Sequence, residues 1–209
     1  MKTMICPTVT AYDLHEYREQ LERINFAQRV HIDLMDGLFT PTTSPELSRI
    51  WLPHHQLTDI HLMYQNPANY LDWLVKLRPS MVIIQAEADV HHMEFAGRLH
   101  KEGIKAGLAI LQDTPAKNIF QIMHSFDHIL VFSGDLGRHG GVADLGLLSK
   151  VSEIKDEYPE VEISWDGGIN DENAQQIVEG GIDVLNVGGF IQGSSDKEKA
   201  FQNIASSLL

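Results

Sequence analysis

Short β-branched or apolar runs recur along the chain: TMICPTV over residues 3–9, VHIDLM over 30–35, LTDIHLM over 57–63, MVIIQAE over 81–87, KAGLAIL over 105–111, HILVFS over 128–133, VEISWD over 161–166 and DVLNVGG over 183–189. Each predicts a strand. The segments between them carry helical spacing, as with Leu14, Tyr17, Leu21 and Ile24, or Ile119, Ile122 and Met123. Eight strands alternating with eight helices follow. Ser44-Pro45, Asn66-Pro67 and Thr114-Pro115 each pair an oxygen-bearing cap with a proline at the first helical position, where a missing N–H costs nothing. Gly103 after RLHKE and Gly180 after QQIVE predict left-handed helix stops. No linker, low-complexity stretch or charge block interrupts the alternation. The expectation is therefore one α/β domain over residues 1–209, a single parallel (β/α)8 barrel, with an open doubly wound sheet as the alternative.

Barrels of this kind place their chemistry at the C-terminal ends of the strands. Period-two alternation sets His31, Asp33 and Met35 on one face of the second strand, and Asp59, His61 and Met63 on one face of the third. Asp166 ends the seventh strand, and Thr8 and Thr10 end the first. Two histidines and at least two aspartates converging at the top of a barrel would leave buried charges unpaired, which is costly unless a cation satisfies them. A bound divalent metal is expected in preference to a metal-free polar network. Imidazole with carboxylate suits Zn, Mn, Fe or Co and argues against Ca. Gly167-Gly168 and Gly188-Gly189 follow the seventh and eighth strands, where exposed backbone N–H groups and a short helix N-terminus can bind a phosphate. The loop from Ser133 to Gly141, with Gly137, His139 and Gly140 inside it, is expected to fold over the same end.

Composition narrows the partners. A 209-residue chain with 43% hydrophobic and 22% charged residues has an ordinary globular make-up, and no apolar run reaches the ~18 residues needed to span a bilayer. The formal net charge of −13 disfavours nucleic acid and anionic membranes, so any phosphate must meet a locally built positive potential. The N-terminal residues enter a strand without a long apolar leader, which predicts a cytoplasmic protein. Cys6, the single cysteine, excludes an intramolecular disulfide and is read as packing.

In order along nearly the whole chain, CPTVTAYDL, HIDLMDGLFTP, HLMYQNP, AGLAI, SWDGGI and VGGFI resemble the successive motifs of the ribulose-phosphate 3-epimerase family. The His-x-Asp-x-Met-Asp-Gly signature carries most of the specificity. The resemblance implies a TIM barrel of the ribulose-phosphate-binding type, one divalent metal held by His31, Asp33, His61 and Asp166, and Asp33 with Asp166 as the acid/base pair. It implies epimerisation of a small-molecule sugar phosphate at C3, D-ribulose 5-phosphate to D-xylulose 5-phosphate. The substrate would be lined by Thr8, Met35, Met63, Ser133, Gly137, Gly140, Gly141, Gly167, Gly168, Gly188 and Gly189, and the assembly would be a homo-oligomer. Departures from the family pattern cluster around the substrate: Leu38 and Gln85 replace histidines, Phe132 replaces a lining methionine, Trp165 replaces a small residue, and the lid reads LGRHGGV over residues 136–142. Two alternatives stay open, a 3-epimerase of another sugar phosphate such as a hexulose 6-phosphate, and a non-catalytic metal- and phosphate-binding relative. A barrel decarboxylase of the Asp-x-Lys-x-x-Asp type is disfavoured, because Met35 stands at the lysine position.

Overall fold

The computed structural model describes residues 3–134, 136–138 and 140–209. The expectation for His139 therefore lies outside the described residues. Eight parallel strands, β1 (Met4–Thr10), β2 (Arg29–Met35), β3 (Leu57–Met63), β4 (Met81–Gln85), β5 (Lys105–Ile110), β6 (His128–Phe132), β7 (Glu162–Asp166) and β8 (Val184–Val187), follow one another round a closed barrel. Pairing of Met4 to Pro7 with Val184 to Val187 closes it. With no sheet edge left, every strand can be apolar on its outer face, and Ile32, Leu34, Ile60, Leu62 and Ile84 are fully buried in the layer between strands and helices.

That outer layer holds α1 (Leu14–Arg23), α2 (Leu71–Leu77), α3 (His92–Lys101), α4 (Leu148–Glu157), α5 (Ala174–Glu179), α6 (Gly189–Gly193) and α7 (Lys197–Ser207). Asp13 caps α1 by accepting from the backbone N–H groups of His15 and Glu16, and the helix buries Tyr17 and Leu21 against the barrel. The expected regular alternation breaks twice. No α-helix follows β2, where Pro41, Pro45 and Pro53 interrupt the segment, and only 3-10 turns at Ala116–Asn118 and Met123–Ser125 follow β5. Ser44 accordingly caps no helix; its hydroxyl accepts from the Met35 N–H at 2.9 Å. Asn66 makes no side-chain cap, although Pro67 does open a 3-10 turn, and the Thr114 hydroxyl donates to Glu87 instead. After α5 the left-handed residue is Gly181 (φ 100°), one place beyond the expected Gly180; Gly103 (φ 73°) is as expected.

The barrel interior is polar at both ends. At the N-terminal end Arg29 donates to Asp59 at 2.6 Å and through both terminal nitrogens to Glu162 at 3.1 and 2.9 Å, and His128 lies 2.7 Å from both Glu162 and the Ser164 hydroxyl. This corrects the placement of Asp59. It points inward as alternation requires, but one layer below His61, where a guanidinium neutralises it.

Candidate active site

At the C-terminal end of the barrel, register decides what meets. Thr8 pairs with His31 and Thr10 with Asp33 across β1 and β2, and Asp33 pairs with His61 across β2 and β3. Register partners in a parallel sheet point to the same face, so these side chains converge inside the barrel. His61 Nδ1 lies 3.0 Å from Asp33 Oδ1, His31 Nε2 lies 3.3 Å from the same oxygen, and the Thr10 hydroxyl donates to Asp33 Oδ2 at 2.7 Å. From β7, Asp166 brings its Oδ2 to 3.5 Å from His31 Nε2.

The two carboxyls sit in opposed environments. Burial alone would raise Asp33, but His31 and His61 outweigh it and hold the carboxyl well below the usual carboxylate range. Asp166 is pushed up to about 7 by burial and by the nearby Asp33 charge, against a smaller opposite pull from His31. One site thus holds one firmly ionised carboxylate beside one that accepts a proton readily.

His31, Asp33, His61 and Asp166 are all buried, and each offers one ligand atom within 4.8 Å of the others. Neither ring nitrogen of His31 nor Oδ2 of Asp166 has a hydrogen-bond partner among the described residues. Orphaned nitrogen and oxygen atoms pointing at one another are what a divalent cation with two imidazole and two carboxylate ligands satisfies. The residues fit such an ion.

A cavity of about 240 Å³ opens above this cluster. Thr8, Asp33, Met63, Asp166, Gly137, Gly140, Gly141 and the glycine pairs 167–168 and 188–189 line it, together with Thr10, Phe132, Arg138 and Asn186. Gly168 has φ 69°, and a Cβ there would run into the backbone of Val142 and Ala143. Only glycine lets the two loops close on each other at that point. Two expected lining residues stand back. Met35 lies beneath Gly137, its sulfur accepting from the Thr42 hydroxyl at 3.1 Å, and Ser133 turns its hydroxyl to accept from the Asp144 N–H at 2.8 Å. Trp165 faces away from the cavity, fully buried in the helix-side core with its indole donating to the Gly167 carbonyl at 2.9 Å.

Thr10, Gln85 and Asn186 are among the polar residues that join the site beyond those named from the sequence as ligands or lining. Thr10 holds Asp33, and alternation with Thr8 already put it on the inner face. Gln85 is fully buried with its Nε2 2.8 Å from His61 Nε2, and its Oε1 has no partner among the described residues. Asn186, in the middle of an apolar strand, gave no motif to read.

The ribulose-phosphate 3-epimerase family model matches residues 4–192, from the first strand into α6, the short helix that follows the last. The chain belongs to the ribulose-phosphate 3-epimerase family. Its relatives include proteins named ribulose-phosphate 3-epimerase from Bacillus subtilis (strain 168), 29% identical with 97% of this chain and 98% of the relative covered, and from Helicobacter pylori (strain ATCC 700392 / 26695), 28% identical with 98% and 99% covered. Among solved structures, a 3-hexulose-6-phosphate synthase superposes with a TM-score of 0.74 at 12% identity, covering 99% of this chain and 100% of that one. KGPDC from Streptococcus mutans superposes with a TM-score of 0.76 at 9% identity, covering 100% and 98%. At such identities the structural likeness speaks for the barrel alone. These two ribulose-phosphate 3-epimerase relatives match over 97% and 98% of this chain, which includes every strand of the barrel.

Proposed function

We propose that this chain, acting as one barrel domain over residues 1–209, is an isomerase that epimerises a ketose phosphate at C3, with D-ribulose 5-phosphate and D-xylulose 5-phosphate as the pair to test first. The observation that carries the reading is the buried convergence of His31, Asp33, His61 and Asp166 at the floor of a cavity roofed by glycine turns.

Inverting a carbon next to a ketone requires removal of its proton, a planar enediolate, and return of a proton to the opposite face. Asp33 and Asp166 reach the cavity from β2 and β7, three strands apart round the barrel, and so flank whatever lies between them. One takes the C3 proton and the other delivers one from the far side; the roles exchange in the reverse direction. Thr10 fixes Asp33 by its 2.7 Å hydrogen bond, so the carboxylate meets the substrate in one orientation. An ion held by His31, Asp33, His61 and Asp166 would act as a Lewis acid on the negative charge that develops at the substrate oxygens, and Zn, Mn, Fe and Co all suit these ligands. Met63 and Phe132 present apolar surface to the reacting face and keep bulk water from it. The phosphate is bound by backbone N–H groups of the 167–168 and 188–189 turns, with Arg138 beside the opening.

No helix among the described residues is long and apolar enough to cross a membrane, and a cytoplasmic setting belongs to this reading. A homo-oligomeric assembly rests on the family resemblance. The test is interconversion of the two pentulose 5-phosphates by metal-loaded protein, followed by NMR, with a hexulose 6-phosphate in parallel. Faster turnover of the pentulose pair supports the assignment. Faster turnover of the hexulose moves the substrate while keeping the chemistry, and binding without turnover of either contradicts an enzymatic role.

A further inference from the structure

Asn186 is only 2% exposed, and neither its amide oxygen nor its amide nitrogen has a hydrogen-bond partner among the described residues. An amide carries two donors and two acceptor sites, and burying all of them unpaired costs stability that an apolar residue at the same place would not lose. Nothing in β8 requires this residue: its neighbours Leu185 and Val187 are outward-facing core, and Val184, two places earlier on the same face, is apolar. The side chain lies on the inner face, in register with Asp166 on one side and Cys6 on the other, and lines the cavity that holds the reacting carboxyls. Thr8, the next inward residue after Cys6 on β1, lines the same cavity and also has a hydroxyl with no partner among the described residues. The β1–β8 wall is thus polar and unsatisfied, whereas Met63 and Phe132 make the facing wall apolar.

We infer that Asn186 is a specificity residue that reads the C4 hydroxyl of the substrate, an assignment that rests on the ketose-phosphate reading above. The position along the strand selects the atom. Asn186 is level with Asp166, which addresses C3, and two residues short of Gly188, which addresses the phosphate. In a pentulose 5-phosphate, C4 is the one hydroxyl-bearing carbon between C3 and the phosphate. A hydroxyl both donates and accepts, so it can satisfy the amide oxygen and nitrogen together. A site built this way discriminates against an analogue lacking the hydroxyl, because the amide would then stay buried and unpaired.

The experiment compares wild-type and Asn186→Leu protein, both metal-loaded, on D-ribulose 5-phosphate and its 4-deoxy analogue, with the thermal midpoint measured alongside. Wild type is expected to prefer the hydroxylated substrate in kcat/KM by roughly ten- to a hundred-fold. In the variant that preference collapses to within about threefold, and the midpoint is unchanged or higher because an unpaired amide has been replaced by an apolar group. Equal preference in the two proteins, or no preference in wild type, overturns the assignment. The wild-type ratio and an Asn186→Ser variant, expected to give an intermediate ratio, decide the matter even if the leucine variant does not fold. Wild-type protein that turns over neither substrate overturns the ketose-phosphate reading and this assignment with it; turnover with an unchanged ratio overturns this assignment alone.

Discussion

His61 Nδ1 stands 3.0 Å from Oδ1 of Asp33, its register partner on the neighbouring strand. The same oxygen lies 3.3 Å from His31, so one carboxylate is the meeting point of both imidazoles. Asp33→Asn keeps the shape and removes the charge. Titration calorimetry with Zn, Mn, Fe and Co should show affinity falling by more than the ~10–100-fold typical of an outer-sphere loss. Unchanged affinity for all four ions would remove Asp33 from the ligand set.

Gln85 would be the outer-sphere partner of a metal held by this ring, on its other side. Its amide lies 2.8 Å from His61 Nε2, and a half-turn of the amide brings its free oxygen to accept a proton carried there, which leaves Nδ1 available to a metal. Gln85→Leu is expected to weaken metal binding about 10–100-fold without a lower melting temperature in the metal-free protein, and Gln85→Glu to restore the binding. Equal metal affinity in the leucine variant and wild type would make Gln85 a packing residue only.

At the opposite end of the barrel, Asp59 and Arg29 form a buried pair at 2.6 Å. Asp59→Ala leaves the guanidinium with Glu162 alone, and urea unfolding should show a loss of about 3 kcal/mol with the denaturant slope unchanged. Metal affinity should not change, because this pair lies a layer below the cluster.

Glu162 makes this lower network sensitive to acid. Burial would raise its carboxyl, but His128 and Arg29 outweigh that and hold it below the ordinary carboxylate range. The unfolded chain therefore takes up the proton first as pH falls. The stabilisation is complete above the ordinary carboxylate pKa of ~4.3 and drains away below it. Thermal midpoints of wild type should fall more steeply than those of Glu162→Gln between about pH 5 and 3. Parallel curves would place the acid sensitivity elsewhere.

The strands were legible because a barrel strand is buried on both faces: β2, β3 and β6 lie within a residue of the runs that predict them. The metal-type cluster was legible for a related reason. Ionisable residues two apart in such a run share the inner face, and His31, Asp33 and His61 obey that parity. Parity also turns Trp165 outward, since Asp166 next to it points in; its proximity in sequence to the site was misleading. Depth was the harder quantity. Asp59 shares the inner face with His61, yet a rise of about 3.3 Å per residue puts it in the Arg29 layer rather than in the site. Asn186 could not be found, because a lone amide in an apolar strand acquires meaning only when its lack of partners is seen. The helices missing after β2 and β5 show that local capping signals such as Ser44-Pro45 do not determine whether a helix follows.

The most direct test of the central claim is transfer of solvent deuterium into C3 of D-ribulose 5-phosphate, followed by NMR, in metal-loaded wild-type protein and in Asp33→Asn and Asp166→Asn. The account predicts that forming D-xylulose 5-phosphate labelled at C3 needs both aspartates, because one carboxyl removes the proton from one face and the other returns a deuteron to the opposite face. Metal-loaded wild type that leaves C3 unlabelled, or either variant that forms the labelled epimer as fast as wild type, would contradict it.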